Sequence, residues 1–539
     1  MVPEARRPEA VDVLVVGAGF AGIGMGAQLV RSGRESFAIV EQAADIGGTW
    51  RDNRYPGVSC DIPSHLYCFS FRPNPAWTRV FAQGREIHDY LRACVREEGL
   101  DSHLRLRCAL VDARWCEDEA RWSVRTTRGA FTAASLVIAT GRLSEPRYPR
   151  VENLEGFAGR WWHSARWNTK VSLVGRRVGL VGTGASAIQI LPRLEAEASD
   201  VVVFQRSAPY VLPRGDRRYS REEVTRFAAD PRAITALRDE LFAEAERNIG
   251  ARQRRHPDID VLHQRAMDHL AASVSDPELR RLLTPDYEIG CKRILFSDDY
   301  YAALQRPHVH LEATALAAIA RGAGGRGGGG GRGGGGGGGG RGGGGSARRP
   351  GAATERSHTV VAASGRHYSL DVLVFATGFN STRPSIAGRI RGRGTRLLAD
   401  EWRDGMAAHA STTVHGFPNM YVLDGPNAAL GHNSAIYMIE AQVGYVLRAL
   451  DHLSESGADA IEVTAEAVRD YVRDIDGMAH DTVWTRGGCT SWYRDERSGR
   501  VTLLWPSSAT SFGERLATFM PESYVHLHRR GARGAPVGS

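Results

Sequence analysis

The apolar positions of this chain are arranged twice in the same order. Residues 11–16 form an apolar run of strand length, followed by a glycine-rich turn, a helix-like run that ends at Gly33 and a strand that reaches Glu41. The order recurs from residue 177, where a second turn and helix-like run lead to an apolar strand at 201–204. Such units form parallel sheets that bind dinucleotides. The pattern therefore predicts an α/β protein with two Rossmann-like dinucleotide-binding domains.

Two further segments depart from this pattern. Residues 215–290 are rich in Arg, Glu, Leu and Ala, which predicts a mostly helical excursion within the second domain. Residues 322–345 are almost pure glycine with a few arginines, cannot bury apolar surface and are predicted to be disordered. This tract lies between two strand-like pieces, at 309–319 and 358–363, which predicts an insertion at the tip of a hairpin or loop. An alternative is that the tract binds RNA, but it has no aromatic residues between its arginines on which bases could stack.

Composition excludes several classes of protein. A length of 539 residues, 42% of them hydrophobic and 24% charged, predicts a globular protein of two or three domains. No apolar run approaches the roughly 20 residues of a membrane helix, and residues 1–10 lack the apolar core of a secretory signal. Six positive charges of the net +8 lie in the acid-free stretch 321–353. We therefore expect neither a membrane nor a nucleic-acid partner.

The seven cysteines form no CxxC or CxxxxC pair, and their number is odd. This spacing argues against a disulfide framework, a zinc site and a dithiol redox centre, and it favours the reducing cytoplasm. We therefore expect no metal, and we interpret Cys60 and Cys291 as small apolar residues.

The first glycine turn carries the spacing GxGxxG at Gly17, Gly19 and Gly22. One glycine makes the tight turn, the next admits a pyrophosphate and the third lets helix and strand pack. Glu41 follows Gly17 by 24 residues, where an acid hydrogen-bonds a ribose 2′-hydroxyl. The first turn therefore predicts a site for a dinucleotide with a free ribose.

The second turn, at Gly182 and Gly184, ends in Ala187 and has Arg206 at the place of Glu41. An arginine there attracts a 2′-phosphate that a carboxylate would repel, which predicts NADP. The alternative is that Arg206 is a solvated charge at a strand end. Two different dinucleotides in one chain indicate a flavin, FAD, that NADPH reduces. Disulfide reductases of this class need a CxxxxC pair that the chain lacks, so we expect O₂ to accept the electrons.

The segment before the second turn resembles a known family. Phe157, Gly159, His163 and Trp167 match the pattern FxGxxxHxxxW, the fingerprint of Baeyer–Villiger monooxygenases. Further stretches that resemble this family are Gly47-Gly-Thr-Trp50, the two Ala-Thr-Gly segments at 139–141 and 376–378, Gly425-Pro-Asn427 and Ser491-Trp492-Tyr493. Residues 495–500 look more like the hydroxyacetophenone-type than the cyclohexanone-type branch. We expect His163 to link domains rather than transfer protons, and Trp161 and Trp162 to be core aromatics.

The resemblance implies the domains and the cofactor-binding residues. We expect the first part of the FAD-binding domain at 1–150, the NADPH-binding domain at 151–369, and the second part of the FAD-binding domain with the C-terminal lobe at 370–539. The residues expected to bind the cofactors are Gly17, Gly19, Phe20, Gly22, Glu41, Thr49, Trp50, Asp61, Tyr67, Val111, Gly182, Thr183, Gly184, Ser186, Gln189, Arg206, Ser207, Lys292 and Trp492.

The implied reaction is insertion of one oxygen atom of O₂ beside a ketone carbonyl, through a C4a-peroxyflavin, to give an ester or lactone. The anionic peroxide and adduct need a fixed cation, for which Arg293 is the candidate, with Asp61 holding it. Lys292, Arg206 and Ser207 are expected to clamp the NADP 2′-phosphate. Arg142 would either favour an acidic substrate or point to solvent, and we favour solvent. The alternatives are an oxygenase of amines or sulfides, and a catalytically silent flavoprotein that acts as a redox sensor or scaffold.

Overall fold

The computed structural model describes residues 7–321 and 357–529 of the chain. Its first sheet joins strands from the beginning of the chain to two short strands from its C-terminal third. The order is β17-β4-β5-β6-β1-β2-β3, with β18 beside β6. These strands are β1 (Glu9–Val16), β2 (Phe37–Val40), β3 (Leu104–Arg105), β4 (Leu110–Cys116), β5 (Arg121–Thr126), β6 (Gly129–Ile138), β17 (Ile390–Arg391) and β18 (Met420–Val422).

The apolar run that predicted the first strand is the centre of this sheet. Strand β1 pairs in parallel with β2 on one side and β6 on the other, so both its edges are hydrogen-bonded within the sheet. Helices α1 (Phe20–Arg31), α2 (Thr49–Asp52) and α3 (Gly84–Glu97) follow the first strands. Gly22 lets α1 lie against the turn, because a Cβ there would come within 1.8 Å of the Gly17 carbonyl oxygen.

The second sheet is parallel throughout, in the order β12-β9-β8-β16-β7. Its strands are β7 (Arg160–His163), β8 (Arg177–Val181), β9 (Asp200–Phe204), β12 (Val309–Glu312) and β16 (Val372–Phe375). Helices α4 (Ala185–Glu197) and α10 (Tyr300–Leu304) pack on it, where Ile190, Leu191 and Leu304 join the same core as Val201 and Val203. A strand and glycine turn that repeat the first unit thus build a second parallel sheet.

The strand-like stretch at 309–319 is divided, where a continuous strand was expected. Its second half, β13 (Leu316–Ile319), belongs to an antiparallel sheet with β14 (Thr359–Ala362) and β15 (His367–Ser369). The break follows Glu312, whose buried carboxylate accepts hydrogen bonds from Thr314 Oγ1 and Tyr368 Oη, both at 2.6 Å. Strands β13 and β14 are antiparallel neighbours, and the glycine-rich tract 322–345 that connects them lies outside the described residues.

The predicted helical excursion leaves the second sheet after the short strand β10 (Val211–Leu212) and returns at β11 (Leu295–Phe296). It holds α5 (Arg221–Ala229), α6 (Pro231–Arg247), α7 (Ile249–Arg252), α8 (Asp258–Ser273) and α9 (Pro277–Leu283). Asp230 caps α6 by accepting a hydrogen bond from the Arg232 amide, and Pro231 occupies the first turn. The α/β class with two dinucleotide-binding sheets is confirmed, while the domain boundaries stay a prediction.

The C-terminal part wraps around one long helix. Helix α12 (Ala435–Ser456) begins at its cap Ser434 and ends at Gly457, which adopts φ 66°. One face of α12 packs on the first dinucleotide-binding unit through Ile439, Val443 and Val446. Met438 and Tyr445 pack with residues of the helices that follow α12 toward the C-terminus. The remaining elements are α11 (Leu398–Glu401), α13 (Ala465–Ala479), α14 (Val483–Arg486), α15 (Ala509–Leu516), β19 (Ala460–Val463) and β20 (Tyr524–Leu527). Within residues 7–321 and 357–529, no helix is long and apolar enough to cross a membrane.

Candidate functional site

The two glycine turns have the same geometry and the same neighbours. Gly17 and Gly182 adopt φ 108° and 110°, which only glycine takes up readily. A Cβ on either would come within 2.5 Å of a carbonyl oxygen, that of Ala139 for the first and that of Ala376 for the second. The two Ala-Thr-Gly segments therefore lie against the two turns, and each turn exposes the amino end of its helix to a ligand.

Glu41 lies beside the first turn, and its carboxylate can accept one hydrogen bond more than it accepts within the chain. Its Oε2 accepts a hydrogen bond from the Ala18 amide at 3.0 Å, and Oε1 accepts bonds from the Ala43 amide and Arg51 Nη1. A carboxylate has about four lone-pair sites, and three are used. One site on Oε2 stays available for a ribose hydroxyl, so the turn and the acid fit the adenosine part of FAD.

Aromatic rings line the same unit beyond the turn. Phe20 at the start of α1 makes an edge contact with Tyr67, with ring centroids 5.2 Å apart. Trp50, after Thr49 on α2, donates an indole hydrogen bond to Tyr67 Oη at 3.2 Å. Burial raises the pKa of the Tyr67 phenol. These residues form a fixed apolar wall of the kind that holds a planar ring system.

Val111, another expected FAD contact, lies in the segment that follows Cys108. It is 42% exposed and stands in β4, where the register with β5 shifts between Leu110 and Asp112. The segment that leads to it passes Glu41, whose carbonyl accepts a hydrogen bond from the Cys108 amide at 2.8 Å. Val111 is therefore at the Glu41 end of the sheet, and its side chain cannot form a hydrogen bond.

A cluster of polar groups marks the second turn. Thr183 Oγ1 donates a hydrogen bond to the Ser207 carbonyl at 3.0 Å, and Lys292 Nζ donates one to Ser207 Oγ at 2.6 Å. Burial lowers the pKa of Lys292, and the charge of Arg206 lowers it further. Arg206 is exposed and makes no ion pair within the described chain. Two cations held close together beside a hydroxyl fit a phosphate, as the sequence predicted for NADP.

Gln189 on α4 ties the second unit to the first. Its Nε2 donates to the Ser59 carbonyl at 3.1 Å, and its Oε1 accepts from the Ser59 amide and from Tyr55 Oη, both at 3.2 Å. Ser186, one turn earlier on α4, lies within hydrogen-bonding reach of the same Tyr55 phenol. Gln189 therefore joins helix α4 to the segment 55–59 of the first unit, in addition to any contact with NADP.

Arg293 and Asp61 form an ion pair at the junction of the two units. Arg293 Nε lies 2.8 Å and Nη2 lies 2.7 Å from Asp61 Oδ2. The Asp61 carboxylate is the main cause that raises the pKa of Arg293, against the effect of burial. The guanidinium is therefore a permanent cation with a fixed orientation, one residue from Lys292.

The C-terminal lobe contributes Trp492 and Tyr493 to this junction. Trp492 is 36% exposed, whereas Tyr493 is 2% exposed, and their ring centroids are 4.5 Å apart. Cys489, three residues before Trp492, forms a disulfide with Cys291, and their Cα atoms are 6.2 Å apart. The expectation that Cys291 is only a small apolar residue is wrong, because it forms a disulfide, although a single disulfide is not the disulfide framework that the spacing argued against. The two cysteines are 198 positions apart in the sequence, which leaves no spacing signal for the pair.

A second expectation, that Arg142 points to solvent, is wrong. Its side chain is 12% exposed, where a solvated side chain was expected, and Nη1 contacts Asp424 Oδ1. Arg142 follows β6 and Asp424 follows β18, and because these parallel strands are neighbours, their carboxyl ends bring the two side chains together. Burial lowers the pKa of Arg142 to about 10, so the group stays charged at neutral pH.

The fingerprint residues connect segments of the chain. Phe157 is buried in the core beneath β16, and Trp167 packs edge-on against Trp162. Gly159 is required because a Cβ would come within 2.3 Å of the Asp371 carbonyl. His163 is fully buried, and its Nδ1 accepts a hydrogen bond from the Ala165 amide. Burial lowers the pKa of His163 to about 4, which leaves it neutral and consistent with the predicted linking role.

Sequence reasoning did not identify Tyr493 or Asp424 as residues of the site. Tyr493 adjoins the identified Trp492, and Asp424 precedes the Gly425-Pro-Asn427 stretch, so the nearby motifs could have pointed to both. In the described part of the chain, no group of His, Cys, Asp and Glu side chains is arranged to hold a metal ion.

The site contains two equivalent dinucleotide turns, two cations beside one of them and an Arg–Asp ion pair between them. Together these features define a flavoprotein oxidoreductase that uses a nicotinamide nucleotide. Residues 14–220 match the family described as pyridine nucleotide-disulphide oxidoreductase.

Comparison with curated relatives identifies the family within this class. The chain is 39% identical to a Baeyer–Villiger monooxygenase from Streptomyces coelicolor, over 95% of this chain and 92% of that protein. It is 36% identical to one from Pseudomonas aeruginosa, over 96% of this chain and 91% of that protein. The chain belongs to the Baeyer–Villiger monooxygenase family, which confirms the resemblance found in the sequence.

Solved structures agree with this family assignment. A cyclohexanone monooxygenase from Rhodococcus sp. Phi1, bound to NADP⁺, has a TM-score of 0.81 at 26% identity and covers 97% of this chain and 100% of its own. A steroid monooxygenase bound to NADP has a TM-score of 0.78 at 28% identity and covers 96% of this chain and 100% of its own.

Proposed function

We propose that this protein is an FAD-dependent monooxygenase that converts a ketone, O₂ and NADPH with a proton into an ester or lactone, water and NADP⁺. The observation that carries the proposal is the Arg293–Asp61 pair, which fixes a cation where the two dinucleotide units meet. FAD, when bound, supplies the oxygen-transfer chemistry, and NADPH supplies the hydride that reduces it. The remaining steps depend on side chains of the chain itself.

The second unit selects NADPH. The 2′-phosphate binds to Arg206, Lys292 and the Ser207 hydroxyl, which already lie together at the end of β9. Each bond between a charged donor and a phosphate oxygen contributes about 1.5–3 kcal/mol. The first unit presents Glu41 instead, which accepts a ribose hydroxyl and repels a phosphate.

Arg293 acts on charge that develops during oxygen transfer. Negative charge accumulates on the reacting oxygen atoms when the carbonyl is attacked, and a preoriented guanidinium stabilises that charge more than it stabilises the neutral ketone. Asp61 holds the guanidinium through Oδ2, so little reorientation is needed when the charge appears. Arg293 is therefore the proposed catalytic residue, and Asp61 positions it.

The aromatic side chains around this pair exclude water. Tyr67 and Trp50 close the first unit, and Tyr493 closes the site from the C-terminal lobe. A dry site strengthens every interaction with Arg293, because the effective dielectric constant falls.

Oxygenation of amines or sulfides is the second candidate, because it would use the same cofactor sites. It requires no anionic attack on a carbonyl and therefore no fixed cation, so the Arg293–Asp61 pair favours the ketone reaction. We further propose that small molecules and O₂ are the only reactants and that no nucleic acid is bound. Action in the cytoplasm stays a prediction.

The experiment compares wild type with Arg293→Ala and Arg293→Lys on a panel of ketones. Flavin reduction by NADPH is followed by stopped-flow absorbance, and ester is measured by chromatography. We expect Arg293→Ala to bind FAD and be reduced, while ester formation falls by about 10²–10³ and oxygen appears as hydrogen peroxide. Arg293→Lys recovers part of the rate, since an ammonium cannot reproduce the planar donor fork.

Arg265→Ala is the matched control, because Arg265 is exposed on α8 and away from the junction. Ester formation at the wild-type rate by Arg293→Ala would refute the role of Arg293. A wild-type enzyme that oxygenates sulfides or amines but none of the ketones would overturn the proposed function.

A further inference from the structure

The Cys291–Cys489 disulfide joins two segments that carry proposed cofactor-binding residues. Cys291 immediately precedes Lys292, whose Nζ donates to Ser207 Oγ at 2.6 Å. Cys489 lies three residues before Trp492. Neither cysteine belongs to a helix or a strand. The bond can therefore open without loss of the hydrogen bonds of a helix or a sheet.

Few other interactions fix residues 488–492, the segment that contains one of these cysteines. In the described part of the chain, no hydrogen bond joins this segment to residues other than the two that follow it. Hydrogen bonds to distant residues resume at its two ends. The Gly487 carbonyl accepts from the Glu288 amide at 2.9 Å, and the Tyr493 carbonyl accepts from the Thr502 amide at 3.3 Å. The segment is thus held at both ends, and between them by the disulfide.

One sulfur of the pair is accessible to a thiol from solution. Cys291 is 1% exposed, whereas Cys489 is half-buried between Gly488 and Thr490, which are both exposed. The other five cysteines are unpaired, and four of them are buried. A single disulfide with an accessible sulfur, among unpaired cysteines, is typical of a bond that exchanges with thiols rather than of a disulfide scaffold.

We propose that the Cys291–Cys489 disulfide is a redox switch that controls the binding of NADPH. The oxidised form holds the 488–492 segment beside Lys292, and the reduced form releases it. In the reduced form Trp492 has no fixed position, so the free energy that orders the segment must come from the bound nucleotide. The inference rests on the proposed function, because it names a regulation of the same site. The regulators are a small dithiol and the disulfide form of the same compound.

The exchange is a balanced two-electron reduction of the protein. A thiolate of the dithiol attacks Cys489 Sγ and forms a mixed disulfide, and Cys291 leaves as a thiolate. The second thiol of the reductant, after losing its proton, attacks the reductant sulfur of the mixed disulfide and releases Cys489 as a thiolate. The two protein thiolates take up the two protons that the dithiol lost. The products are two protein thiols and the disulfide form of the reductant.

The test uses the full-length enzyme loaded with FAD, in dithiothreitol and oxidised dithiothreitol mixed in set ratios. Thiol alkylation and mass spectrometry measure the fraction of disulfide at each ratio. We expect the Kd for NADP⁺ and the KM for NADPH to rise about two- to tenfold on reduction, because the segment must then be ordered on binding. Both values should return on reoxidation, and the flavin absorbance per chain should stay constant.

The variants Cys489→Ser and Cys291→Ser remove the switch from either side. Both should bind NADP⁺ at every ratio with the affinity of the reduced wild type. Cys116→Ser is the matched control, because Cys116 is a half-buried free thiol at the end of β4, and it should respond as wild type does. The two serine variants in the same buffers also measure any effect of dithiothreitol on the flavin.

The outcomes separate the inference from the function on which it rests. Equal affinity for NADP⁺ in oxidised and reduced wild type would overturn the switch, and wild type alone decides this point if a serine variant fails to fold. A disulfide that resists excess dithiothreitol in the folded enzyme would also refute it, since the bond would then be a permanent cross-link. A response that persists in both serine variants would show that another group causes it. Binding of NADP⁺ requires no ketone, so a failure to form ester from any ketone would refute the proposed function alone.

Discussion

We propose that a single charged residue decides which nucleotide each of the two similar turns accepts. Glu41 and Arg206 each follow the first glycine of their turn by 24 residues, and the structure places each at the end of the second strand of its unit. The backbone geometry of the two turns is nearly the same, with φ 108° and 110° at their first glycines. We therefore propose that the side chain at this position, rather than the backbone geometry of the turn, distinguishes FAD from NADPH.

At this scale we predict that Arg206→Ala raises the KM for NADPH about tenfold or more, because a charge-assisted bond to the 2′-phosphate is lost. The KM for NADH should change little, since NADH has no 2′-phosphate. Steady-state kinetics with both nucleotides measure the effect, and Arg193→Ala, on the neighbouring helix α4, serves as the control. Equal loss of affinity for NADH and NADPH would show that Arg206 supports the fold of the turn instead.

At the scale of elements, β13 and β14 show why a long insertion can be tolerated. They are adjacent antiparallel strands, Ile319 is paired with Val360, and the Ala320 amide donates to the Thr359 carbonyl at 2.9 Å. The two ends of the connection are thus already held together by the sheet. Closing a shorter loop between such ends changes the free energy only slightly.

We therefore predict that replacing residues 322–345 by a short Gly-Ser turn leaves the FAD content and the rate of NADPH-dependent ketone oxidation within about twofold of wild type. Flavin absorbance per chain and initial rates are the measurements. Loss of flavin or of folded protein in the shortened variant would mean that the tract has a function of its own.

At the scale of the whole molecule, the Cys291–Cys489 disulfide joins the NADPH-binding unit to the C-terminal lobe. One end adjoins Lys292 and Arg293, and the other precedes Trp492. A link that closes so long a loop restricts the unfolded chain and stabilises a protein by about 2–4 kcal/mol.

We predict that the denatured, unreduced protein titrates five thiols and that reduction raises the number to seven. Cys489→Ser should lower the free energy of unfolding by about 2–4 kcal/mol and raise the KM for NADPH, because Lys292 is no longer tied to the lobe. Cys116→Ser, at a half-buried free thiol, is the control. Seven titratable thiols without reductant would contradict the pairing.

The sequence by itself determined the two strand–turn–helix units and the family, because each depends on local spacing or on a short contiguous pattern. The nucleotide assignments of Glu41 and Arg206 stay predictions. Only the tertiary structure decided that 309–319 is two strands, that Arg142 is buried against Asp424 and that Cys291 is bonded to Cys489. These facts depend on pairs far apart in the chain, 282 residues for Arg142 and Asp424, which meet because β6 and β18 are neighbours in one sheet. Periodicity reports which face of an element is buried and carries no information on which distant side chain it will meet.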